Sequence, residues 1–208
     1  MKKAFFVIIL LFLLCSCAND TLSSNIISPK DLTAEQEELL DLIGIRDPAF
    51  FEFAFGLDIN SIRYKVECYS NNKESVVLWD VVEDVSLLKE GEKELIKGQL
   101  SIMLDPSISL FVMKSAFQRD NGQLGFSNSS ILPADFSELI AVSRAQLQKD
   151  VEIIPNTEIP LVVIEFHQKD KASGYQVNIA SQIIDNIDNM HTIGDWDKLV
   201  LVTVSFNT

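Results

Sequence analysis

The residues with the widest chemical reach in this 208-residue chain are acidic, and two groups of them invite a chemical reading. Asp185, Asn186, Asp188 and Asn189 run up to His191, and Asp195 and Asp197 flank Trp196 shortly after. A calcium loop needs oxygen ligands closing on one point, with a central glycine and a late bidentate glutamate, and this spacing does not match that pattern. Asp185, Asp188, Asp195 and Asp197 are therefore metal candidates only beside the plainer reading of a solvated acidic loop. Asp80, Glu83 and Asp84 cluster at one strand end, where a carboxylate pair would serve a glycosidase as acid and base. Thirty acidic residues also produce such clusters by chance. Zinc is disfavoured, because the histidines are His167 and His191 and neither sits in a ligand-spaced pair. No Gly-x-Ser-x-Gly elbow or phosphate-cradling glycine loop occurs, so no cofactor is expected. His167 shares a strand face with Glu165, and a polar face accounts for both. Cys68 shares a face with Ile62, Tyr64 and Val66 and reads as a buried small hydrophobe. Tyr69, Trp79 and Trp196 remain as aromatic candidates to stack on a sugar ring or a peptide, with core packing the simpler alternative.

The N-terminus carries a different kind of chemistry. Lys2 and Lys3 precede an unbroken apolar run from Ala4 to Leu14, and Leu14-Cys15-Ser16-Cys17 follows. As a helix the run would rise roughly 16 Å, against a hydrocarbon core of about 30 Å, and is too short to span it. A basic start, a short apolar stretch and a small-residue cluster form the layout of a secretory signal. With Leu14 three places before Cys17 and Ser16 one before it, the cluster resembles the lipobox of bacterial lipoproteins. That resemblance covers the first seventeen residues only. It implies cleavage before Cys17, diacylglycerol on the Cys17 sulfur, and an extracytoplasmic address at the cell surface or periplasmic face. Cys15 fits less well, since bulky Leu14 precedes it directly. Several acyl chains hold a protein firmly without help from a basic patch.

Charge narrows the partners. The chain has 17 basic and 30 acidic side chains and a formal net charge of −13, which loss of Lys2 and Lys3 with a signal would deepen. Such a surface repels nucleic acid phosphates and anionic lipid heads, which leaves the lipid on Cys17 as the expected membrane contact. An envelope protein, a peptide or a glycan is the expected partner. With Cys15 and Cys17 accounted for, Cys68 has no thiol to bridge, so the core must carry stability without disulfides.

These candidates are positioned by elements of mostly two-residue period. Residues 1–16 read as signal peptide, 17–31 as the lipidated cysteine and a flexible polar tether, and 32–208 as a β-rich globular domain with a candidate subdivision near 127–150. Thr33-Ala34-Glu35-Gln36 is a capping box ahead of Leu39, Leu40, Leu42 and Ile43, which predicts a helix over about 33–43. Alternation then predicts strands at 51–55, 62–69, 77–81, 100–104, 108–117, 124–126, 151–154, 159–167, 175–179 and 198–206. Asn71-Asn72 and Asp120-Asn121-Gly122 mark turns between strands. Asp135 to Glu138 resembles a second capping box, and Phe136, Leu139, Ile140 and Leu147 form a helical stripe, so 135–149 is read as helix, with a strand over 139–142 as the alternative. Ile183, Ile184 and Ile187 suggest helical turns within 182–191. The fold class is mainly β: an antiparallel β-sandwich of the broad kind that includes immunoglobulin-like domains, with an N-terminal helix and one or two minor helices. Each half looks able to form its own sheet. The functional expectation is a lipid-anchored, non-enzymatic binding or interaction module, with an envelope hydrolase acting through acidic residues as the alternative.

Overall fold

A computed structural model describes residues 25–42, 48–70, 74–89, 95–105, 110–119, 122–131, 136, 139–168, 179–185 and 196–208. Cys17, Asp188, His191 and Asp195 lie outside the described residues. In chain order the elements are β1 (Ile26–Pro29), α1 (Ala34–Leu42), β2 (Ala49–Gly56), β3 (Ser61–Ser70) and β4 (Ser75–Asp84). After a 3₁₀ turn at Ser86–Lys89 come β5 (Leu95–Asp105), β6 (Leu110–Arg119), β7 (Gly122–Ile131) and β8 (Leu139–Gln146). The remainder is β9 (Val151–Glu152), β10 (Glu158–Gln168), α2 (Ile179–Asp185) and β11 (Lys198–Asn207). Strands β7-β6-β5-β2-β1-β9 form a six-stranded sheet, and β4-β3-β11-β10-β8 a five-stranded one, with every pairing antiparallel. No helix among the described residues is long and apolar enough to cross a membrane.

The expected sandwich is what these sheets form. Val200, Val202, Val204 and Phe206 alternate along β11 and point between the sheets, where they meet Ile62, Tyr64, Val66 and Cys68 of β3. Phe206 lies 5.7 Å from the ring of Phe53 and 5.4 Å from that of Phe55, so β11 stands opposite β2. Gly98, on β5 between Phe53 and Phe117 in register, lets those two rings close to 5.7 Å; a methyl group there would lie 2.4 Å from the Phe53 ring. The far face of the five-stranded sheet is covered as well. Val163, Leu199 and Leu201 pack there with Ala180, Ile183 and Ile184 of α2 and with Trp196, which explains why β10 and β11 are buried along nearly their whole length. Pro160 falls where the β10 register shifts, a place where a missing N–H costs no ladder bond.

Several expectations are corrected. Residues 26–29, read as tether, are a strand: Ile26 to Pro29 pair with Ala54 to Phe51, and Ile27 is fully buried. Asn25 secures its start, accepting from Gly56 N at 2.9 Å and, through its carbonyl, from Ile153 N at 2.8 Å. Two isoleucines give too short a pattern to register as a strand, and the partner edge of β2 supplies the missing information. The stretch 139–146, read as helix, is strand β8, because the edge of β10 offers a full ladder to residues Leu139 to Gln146. A short apolar run carries no length signal to separate the two structures. The halves do not make separate sheets either, since each sheet draws strands from both. The capping box is present, with Thr33 N donating to Gln36 Oε1 at 2.9 Å and Gln36 N to Thr33 Oγ1 at 3.3 Å. Helical turns do form before Asp185, three residues earlier than the isoleucine spacing indicated, in α2. Of the strand expected over 175–179, Ile179 instead opens α2, and 175–178 are outside the described residues.

Candidate functional site

Strand β4 holds the acidic cluster, and its geometry separates the members. Successive side chains of a strand point to opposite faces. Glu83 therefore faces into the sandwich, where it is 5% exposed, while Asp80 and Asp84 face out. Asp80 accepts from Arg63 Nε at 2.8 Å and Arg63 Nη2 at 2.5 Å, and this pairing lowers its pKa. Asp84 accepts from Ser86 N at 2.8 Å and stabilises the turn after the strand. Glu83 crosses to the other sheet, accepting from Ser115 Oγ of β6 at 2.8 and 3.0 Å. Burial raises its pKa, against the opposing pull of that hydroxyl. Tyr64 is close enough to feel Glu83 and Ser115, yet its hydroxyl meets hydrogen-bond geometry with neither; burial first and the Glu83 charge second hold the phenol well above its ordinary value. A sheet thus stands between Glu83 and Asp80, and the two cannot flank one glycosidic bond.

A second polar group sits on the covered face of the five-stranded sheet. Glu165 and His167, two apart on β10, share that face as expected, but the face is not solvated: both are 1% exposed. His167 Nε2 lies 2.6 Å from Glu165 Oε1, and its Nδ1 is 3.8 Å from Asp197 Oδ2. Burial raises the Glu165 pKa, opposed by His167. Asp197 Oδ2 also accepts from Gln168 N at 2.9 Å, so this metal candidate fastens the start of β11 to the end of β10. Asp185 ends α2 and pairs with Lys149 at 3.5 Å in an exposed position. Among the described residues no group of three or more His, Cys, Asp or Glu side chains is arranged to hold a metal ion.

The aromatic candidates divide. Trp196 is 5% exposed and packs beneath α2, which removes it as a stacking platform. Tyr69 is half-buried and donates to Glu67 Oε2 at 3.2 Å; burial first and Glu67 second push its pKa up to about 12. Trp79 is half-buried on β4, its ring 5.8 Å from that of Phe111 on β6. Cys68 is buried on the inner face, as its neighbours predicted.

Two surface features stay open among the described residues. A groove of about 740 Å³ runs between α1, β8 and α2, with Glu37, Asp41, Arg144 and Asp185 along it. The other is β4 itself, terminal among the described strands of its sheet, on which Val76, Val77 and Val82 are 61%, 50% and 59% exposed.

No family model, curated protein or solved structure matches this chain.

Sequence reasoning missed the β4 edge and the Glu83–Ser115 bridge for different reasons. Alternation along Val81, Val82, Glu83 and Asp84 already places Glu83 opposite in face to Asp84, so the separation of the carboxylates was available from the sequence. That β4 ends a sheet was not, because strand order depends on pairings between distant segments.

Proposed function

We propose that this chain is a lipid-anchored extracytoplasmic binding module, tethered through Cys17 and presenting the sandwich to a partner. The observation that carries the reading is the apolar edge of β4, where three valines of one strand are at least half exposed. Isolated surface valines are ordinary, but a run of them on a terminal strand is the form an interaction edge takes. The alternative of an envelope hydrolase is the weaker reading, because its candidate cluster is divided: Glu83 is buried between the sheets while Asp80 and Asp84 face out. Metabolic labelling with radioactive palmitate tests the anchor: the wild-type chain is expected to incorporate label and Cys17→Ala to lose it, and undiminished labelling of the variant would overturn the assignment. Hydrolysis of envelope glycan or peptide by the purified protein, abolished by Asp80→Asn or Glu83→Gln, would overturn the non-enzymatic reading.

A further inference from the structure

The two sheets differ in width on the side where β4 ends. Trp79 against Phe111 and Glu83 against Ser115 place β4 over β6. The six-stranded sheet continues by one more strand, β7, and among the described residues nothing in the five-stranded sheet lies opposite it. The inner row of β7 follows from its register: Phe126 is paired with Ser115 and Leu124 with Phe117, so both point the same way as those core residues. Phe126 is only half-buried, its ring 5.9 Å from Phe117, and Leu124 is 36% exposed. Strands in a sheet are about 4.8 Å apart and packed sheets about 10 Å, so a strand added outside β4 would lie directly over this row.

The hydrogen-bonding groups for such a strand are in place. Val85 N donates to Asn60 O at 3.0 Å, which fixes the alternation along β4. Val81 and Glu83 direct their backbone groups toward β3, and Asp80, Val82 and Asp84 direct theirs away from it. We propose that the open edge of β4 takes a single extended peptide with alternating apolar and basic residues. Its apolar side chains cover Leu124 and Phe126. Its basic side chains lie on the outer face, with their stems over Val77 and Val82 and their charges beside Asp84 and beside Asp80, which already pairs with Arg63. The net charge of −13 likewise favours a basic ligand.

A second copy of this chain fits the edge poorly. Antiparallel pairing of two β4 strands keeps both six-stranded sheets on one side, and each overhanging β7 would then fall where the other copy's β6 lies. This proposal rests on the binding-module reading and names its partner and mode.

Fluorescence anisotropy tests it with the full-length protein in detergent and a labelled peptide about as long as β4, alternating Val and Lys. Saturable binding is expected, about tenfold weaker when Lys is replaced by Glu or when the residue order is scrambled. Val82→Pro removes an outward N–H that β3 does not use, so the fold is expected to survive and binding to fall by about tenfold or more. Should that variant not fold, peptides N-methylated along one edge or the other report on the unaltered protein: methylation of one edge is expected to abolish binding and of the other to leave it. Equal binding after both methylations, insensitivity to sequence order, absence of binding to the wild-type protein, or a β4-dependent dimer by sedimentation would overturn strand addition. None of these results touches palmitate labelling at Cys17, so failure here is separable from failure of the anchor.

Discussion

Glu83 shows at the scale of one residue how a carboxylate that looks catalytic in sequence is employed in structure. Its hydrogen bonds from Ser115 join two sheets, and its burial disfavours the ionised form. The consequence for stability has a definite sign. A raised folded-state pKa leaves stability undiminished below the ordinary value of 4.5 and reduces it as pH rises from there through the folded value, because the unfolded chain ionises more readily. Glu165 acts in the same direction, whereas Asp80 and Asp84, with lowered values, lose stability as pH falls. Glu83→Gln is therefore expected to gain stability relative to wild type as pH is raised from roughly 4 to 7, measured by urea denaturation at each pH. A gain that is constant or shrinks with pH would show that Glu83 is not desolvated as described.

Elements are decided by neighbours as much as by their own residues. β7 extends to Ile131 through the polar run Ser127-Asn128-Ser129-Ser130 because β6 supplies the opposite half of the ladder. β8 is a strand for the same reason, with β10 as the template. Gly98 is the converse, a residue whose lack of a side chain lets β2, β5 and β6 share one aromatic contact. Gly98→Ala would drive a methyl group into the Phe53 ring and against Ala116 O, 2.8 Å away. A loss of about 1–3 kcal/mol is expected from thermal or chaotrope unfolding, since overpacking forces rings and backbone to shift. Unchanged stability would mean that the Phe53–Phe117 contact can open without cost.

For the whole molecule, charge is the dominant long-range term. At −13 the chain repels itself, and salt screens that repulsion over a length of about 10 Å at 0.1 M. The melting temperature is expected to rise by a few degrees, roughly 2–5, between about 10 mM and 0.2 M sodium chloride; a fall would show that specific ion pairs such as Arg63–Asp80 outweigh the net field. The sequence by itself determined the local terms: two-residue alternation, the Thr33–Gln36 cap, the buried placement of Cys68, the shared face of Glu165 and His167, and the net charge. Each of these is written in covalent geometry or composition and needs no distant partner. Only the tertiary structure decided which strands are neighbours, that Trp196 is covered by α2, that Asp197 ties two strands together, and that β4 ends one sheet where β7 overhangs from the other. Those facts arise from contacts between segments far apart in the chain, for which an alternating pattern states which face is apolar but not what will cover it.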